Sequence, residues 1–131
     1  MATHATSTFV IESWEGTPYD EQDGATLTRT RVSKTFQGDI VGTSMAELLM
    51  AQAQEGSAAY VGFERIVGSV HGRAGSFVLH HNASMTRETQ PATWSVVPNS
   101  ATGDLRGLRG EGRITDLPDG GHTFTLAYDL P

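Results

Sequence analysis

The chain has 131 residues, 18% of them charged and 37% hydrophobic, which fits one globular domain with a single core rather than a disordered segment. It contains no cysteine, so disulfide frameworks, zinc–cysteine sites and thiol nucleophiles are excluded. Nine basic against fifteen acidic side chains give a formal net charge of −6, which argues against nucleic acid as a main partner.

In chain order, "MATHATSTFV" has neither the basic start nor the apolar run of a signal peptide, and residues 1–6 read as a flexible tail on a single domain spanning 1–131. "STFVIESW" (7–14) reads as a first strand. "EGTPYDEQDGA" reads as a polar loop, marked by Pro18 and Gly24. "TLTRTRVSKTF" (26–36) is a second strand, and "QGD" a tight turn into a third that runs from about Ile40 to Ala53. "SMAELLMAQAQ" within it favours helix by composition, but the flanking hairpin signals favour strand. "YVGFERIVGSVHGRAGSFVLHHNASM" (60–85) supplies strands four and five. "ATWSVVP" is strand six. The glycine-rich "NSATGDLRGLRGEGR" leaves room for one short helical turn and for a short strand near Gly112–Thr115. "HTFTLAYDL" closes the chain as a last strand. Seven or eight strands with short loops predict a meander that closes into a barrel or folds as a sandwich. No segment approaches the roughly 20 apolar residues of a membrane helix, so a cytoplasmic protein without membrane association is expected.

Turn positions set register, and register sets which side chains share a face. A turn centred on Gly72 and Arg73 places Glu64 opposite His81. Turns centred on Glu55–Gly56 and on Gln37–Gly38 place Glu47 opposite Glu64 and Thr28 opposite Glu47. Thr28, Glu47, Glu64 and His81 then form one polar row, on a face shared with Met45, Leu49, Tyr60, Ile66, Phe77 and Leu79. Carboxylates on neighbouring strands beside an imidazole suit acid–base chemistry near neutral pH. The same groups suit a structural hydrogen-bond network inside a filled barrel. Two carboxylates and an imidazole could also hold a divalent metal, but no spaced metal motif is present, and no metal or cofactor is expected. His80 is expected outside near Arg65, and His4, His71 and His122 in solvated tail or turn positions. The other face, carrying Leu48, Met50, Val61, Phe63, Val67 and Val78, is also apolar, so a homodimer or other homo-oligomer is expected.

The segments "SWEGTPYDE" (13–21), "GDIVG" (38–42), "YVGFERIVG" (60–68), "GRAGSFVLHH" (72–81) and above all "TWSVVPNSATGDLRGLRGEG" (93–112) resemble DUF3224, a bacterial family of unknown function. The resemblance extends from about Phe9 to Tyr128. It implies an all-β fold: a closed, eight-stranded antiparallel barrel similar to allene oxide cyclase, a calycin-like meander with a small lumen. It implies no reaction, because a fold does not carry a function. No catalytic residue of the cyclases that share such a barrel matches a position here.

The expected function is therefore small-molecule binding in a barrel lumen. The enzymatic form would be a cofactor-independent isomerase or cyclase acting on a small apolar molecule. Glu64 and Glu47 would shuttle a proton and His81 would tune them. Tyr60 would donate a hydrogen bond and Thr28 would contact the ligand, while Phe77, Leu79 and Trp94 shape the cavity. The alternatives are a carrier without chemistry and a filled barrel used for assembly.

Overall fold

The computed structural model describes residues 2–131. Eight antiparallel strands follow one another around a closed barrel: β1 (Thr3–Gln22), β2 (Ala25–Gly38), β3 (Ile40–Ala53), β4 (Ala58–Val70), β5 (Arg73–Met85), β6 (Ala92–Val96), β7 (Arg109–Asp116) and β8 (His122–Asp129). A single 3-10 turn, Gly103–Leu105, interrupts the long β6–β7 connection, where the glycine-rich sequence left room for one. "SMAELLMAQAQ" is strand throughout, because pairing on both sides outweighs its helix-favouring composition.

Two expectations for the first strand are corrected. Residues from Thr3 onward are not a tail: Thr3–Phe9 pair with Tyr128–His122 and close the barrel. Ala5, Ser7 and Phe9 alternate inward, and this period of two buries them. The expected polar loop after Trp14 is also strand, since β1 runs on to Gln22 through register shifts at Ile11/Ser13 and Pro18/Asp20. Pro18 sits at the second shift, where a residue without an N–H is tolerated.

The inner faces divide the barrel into two halves. At one end Phe36, Ile40, Val70, Phe77, Phe124 and Leu126 are fully packed, and Leu105 and Leu108 from the β6–β7 connection plug the base. That connection is held to β5 by backbone and side-chain bonds between Ser76 and Thr102. It approaches so closely that a Cβ on Gly75 would lie 2.1 Å from the Thr102 carbonyl oxygen. Gly75→Ala must therefore displace backbone, and a loss of about 1–3 kcal/mol is expected in urea unfolding. A loss near zero would mean that the plug is not docked as described.

The turns explain where the strands face. The β4–β5 hairpin is closed by His71 and Gly72, both with positive φ (48° and 80°), the conformation that matches the twist of the flanking strands. Glu64 consequently faces Leu79, and His81 faces Gly62. The β3–β4 turn is centred on Glu55 alone and the β2–β3 turn on Asp39 alone, each offset from the expected centre.

Candidate functional site

Strand alternation carries Lys34 (β2), Ser44 (β3), Glu64 (β4) and His81 (β5) to the interior, and all four are buried. They converge on one carboxylate. His81 Nε2 lies 2.8 Å from Glu64 Oε1, Lys34 Nζ donates to the same oxygen at 3.2 Å, and the Ser44 hydroxyl donates to Oε2. Lys34 also lies over the Phe9 ring, 4.7 Å from its centroid. Burial on its own raises the Glu64 carboxyl pKa. The His81 hydrogen bond, the Lys34 charge, the His81 charge and the Ser44 hydroxyl together outweigh it and bring the carboxyl down to about 2. Glu64 is thus a permanent anion at neutral pH.

Above this cluster the barrel is not filled. A cavity of about 170 Å³ is bounded by apolar side chains of β1–β3, including Phe9, Val32 and Met50, and by the polar groups of Lys34, Tyr60 and His81. Asp116 and His122 also line it, joined to each other through His122 Nδ1 at 2.9 Å, with the His122 ring stacked on Phe9. Burial raises the Tyr60 phenol pKa, the Trp94 indole acts against it, and the Glu64 charge adds to it. Trp94 Nε1 is the one buried side-chain nitrogen or oxygen without a hydrogen-bond partner among the described residues. No hydrogen bond to His81 Nδ1 is formed among those residues, and the His81 side chain lines the cavity. A larger groove, about 910 Å³, lies between Thr3, Leu108 and Pro131 at the plugged end, but its polar side chains are exposed and no ionic cluster adjoins it.

The polar row expected from the sequence forms only in part. Glu64 and His81 share the inner face and touch, as diagonal rather than directly opposed neighbours. Glu47 does not join them: it faces Phe63 on the outer surface, where Arg29 and Arg31 hold it at 3.1 and 3.2 Å and keep its carboxyl below the usual range. The one-residue offset of the β3–β4 turn is the cause, since it puts Ala46 opposite Glu64. Thr28 faces Met50 and lies outside the cavity wall. Phe77 and Leu79 belong to the packed half, and Tyr60 lines the cavity. Trp94 stands edge-on to the His81 ring, 6.1 Å between centroids, and backs the site rather than lining it.

The polar turn and tail histidines are also placed differently. His71 Nδ1 meets the Tyr128 hydroxyl at 2.5 Å at the plugged end, and His122 is in β8. His80 is outside, stacked on Phe63. Sequence reasoning missed Lys34 and Ser44. The signal for Lys34 was present: in "VSKTF" it occupies the same phase as Val32 and Phe36. Among the described residues, no three His, Cys, Asp or Glu side chains are grouped to hold a metal, and no helix is long and apolar enough to cross a membrane.

The comparisons with known proteins agree with this architecture. A protein of unknown function from Shewanella oneidensis MR-1, known from a crystal structure and belonging to the DUF3224 family, is 34% identical, with a TM-score of 0.86 over 100% of this chain and 99% of that one. No curated protein matches. Residues 5–128 match the family described as "Protein of unknown function (DUF3224)", and with its eight-stranded closed barrel the chain belongs to that family.

Proposed function

We propose that the barrel binds a small, neutral, largely apolar molecule carrying one carbonyl oxygen, and that His81 exchanges a proton with it. The observation that carries this reading is the ionised, fully bonded Glu64 set beneath an unfilled cavity. A buried ionic cluster is commonly no more stabilising than the apolar packing that could replace it. Its presence at the wall of a cavity is therefore better explained by a ligand than by stability.

Roles follow from the bonding. Both Glu64 oxygens are engaged and its pKa is about 2, so it orients rather than shuttles a proton. His81 donates from Nε2 to Glu64, so a proton exchanged with the ligand passes through Nδ1. The Lys34 ammonium, with donors beyond the one given to Glu64, would donate to the carbonyl oxygen and stabilise an enolate. Proton removal at the α-carbon and return at another position is an isomerisation and needs no added cofactor. Size restricts the ligand: a cavity of about 150 Å³ elsewhere holds benzene, so one ring is the scale here.

Solvent deuterium exchange at the α-carbons of cyclohexanone, followed by NMR, tests this. The protein should accelerate exchange over buffer, and His81→Gln should reduce the acceleration about 10²-fold. Saturable cyclohexanone binding without exchange would favour the carrier reading. Neither binding nor exchange would sink both.

A further inference from the structure

We infer that the outer face of β3 and β4 is a dimer interface, on which two copies of this chain pack about a two-fold axis with Phe63 of each seated beside Phe63 of the other. Val41, Met45 and Leu49 on β3 and Val61, Phe63 and Val67 on β4 point outward, each 45–58% exposed. Their register makes them continuous: Leu49 pairs with Val61, while Met45 and Val67 lie diagonally between Phe63 and Val41. The apolar face expected from the sequence therefore exists, but with Met45 and Leu49 in place of Leu48 and Met50, which the register turns inward.

Several features point to a second copy as the occupant. β3 and β4 are paired on both sides along their lengths, so this part of the barrel offers no strand edge to an added peptide strand. A broad sheet face packs best on another sheet face. The six side chains present on the order of 600 Å² of surface, at the upper end of what a monomer leaves open, and a stable interface needs about 800 Å² per partner. Glu47, opposite Phe63, and Arg65, opposite Met45, lie among them on the same face, and Arg29 and Arg31 flank them on β2; these polar groups supply that remainder. Glu47 is already paired with both Arg29 and Arg31, so it brings no unpaired carboxylate into the contact.

Shape decides the symmetry. Beside the projecting Phe63 ring is a depression of about 440 Å³, lined by Leu49, Val61, Phe63 and His80 with Arg29 and Glu47 at its margin. Knob and hole adjoin on the same patch. Only a two-fold arrangement lets each copy fill the other's hole with its own knob, and this contact closes at two copies.

Sedimentation of the full chain at up to about 100 µM tests the inference. Wild type should run at twice the 14.0 kDa chain mass. Phe63→Arg, and independently Leu49→Lys, should shift it to the single-chain mass with an unchanged β-rich far-ultraviolet spectrum. Glu111→Arg, an exposed change on β7 across the barrel, should leave the dimer intact. A wild type of single-chain mass throughout that range overturns the proposal. So does a dimer that survives both Phe63→Arg and Leu49→Lys.

Discussion

Glu64→Ala should destabilise the folded chain by about 3–5 kcal/mol, the largest loss expected of any single change at the cluster. The reason is what the substitution leaves behind. Lys34 has only 9% of its side chain exposed, and among the described residues Glu64 is the carboxylate it pairs with, so the substitution strands its ammonium without an ion-pair partner. His81 Nε2 and the Ser44 hydroxyl lose their acceptor at the same moment. Unmet buried donors of this kind are expensive, whereas removing both partners of a pair need not be. Lys34→Met combined with Glu64→Ala should therefore recover a large part of the loss. A double-mutant cycle from urea unfolding measures the coupling directly. A Glu64→Ala loss below about 1 kcal/mol would show that water reaches the cluster and screens it.

Acid should remove this same contribution over a defined range. The Glu64 carboxyl has a folded-state pKa of about 2, against an ordinary value of 4.5. A depressed carboxyl stabilises the fold in full above its unfolded pKa, and the contribution is lost as pH falls toward the folded value. Glu64 should thus contribute about 3 kcal/mol at pH 6–7, declining from near pH 5 down to about pH 2. Glu64→Gln abolishes this slope while keeping the side chain's shape. Its stability should vary distinctly less with pH over that interval than that of wild type. The Glu47 carboxyl is also lowered, by Arg29 and then Arg31, but it is solvent-exposed and its pairing should respond to salt. Parallel stability curves for wild type and Glu64→Gln from pH 2 to 6 would contradict the ionised, buried state of Glu64.

The outer-face dimer and the inner cluster sit on opposite sides of the same two strands. Ser44 and Glu64 point into the barrel from β3 and β4, and Met45 and Phe63 point out of it. Packing two copies on the outer face would hold β3 and β4 rigid without touching the cavity. The part of the cavity wall formed by Asp116 and His122 stays clear of such a dimer contact, because β7 and β8 lie away from β3 and β4.

Much of the architecture was legible because it depends on local pattern. Period-two alternation, glycine-marked turns and the absence of any sustained helical period identify strands 4 and 5 and the strand character of "SMAELLMAQAQ". The same alternation marks the interior phase of Lys34. Its partner is not local, however: Lys34 and Glu64 are 30 residues apart and meet across β3 only because the barrel curves. The closing strand pair was also hidden, since Thr3–Phe9 acquire their partners from β8 at the far end of the chain. In isolation that segment is polar enough to resemble a tail.

Face assignment is where local pattern ran out. An error of two residues in a register preserves which face a side chain occupies, and an error of one inverts it. The β4–β5 turn was misplaced by one position, which moves each pairing by two residues. Glu64 and His81 therefore still shared the interior and became diagonal neighbours. The β3–β4 turn was misplaced by half a position, which moved Glu47 to the outside and brought Ser44 inward in its place. Periodicity and approximate turn positions determined the all-β character and the shared interior face of Glu64 and His81; they allowed a barrel or a sandwich, and the closed barrel followed from the family resemblance. Tertiary structure alone decided that Lys34 and Ser44 complete the cluster, that part of the lumen stays open, and that Glu47 lies on the outer face. Those outcomes depend on turn geometry resolved to a single residue and on contacts that exist only after the barrel has closed.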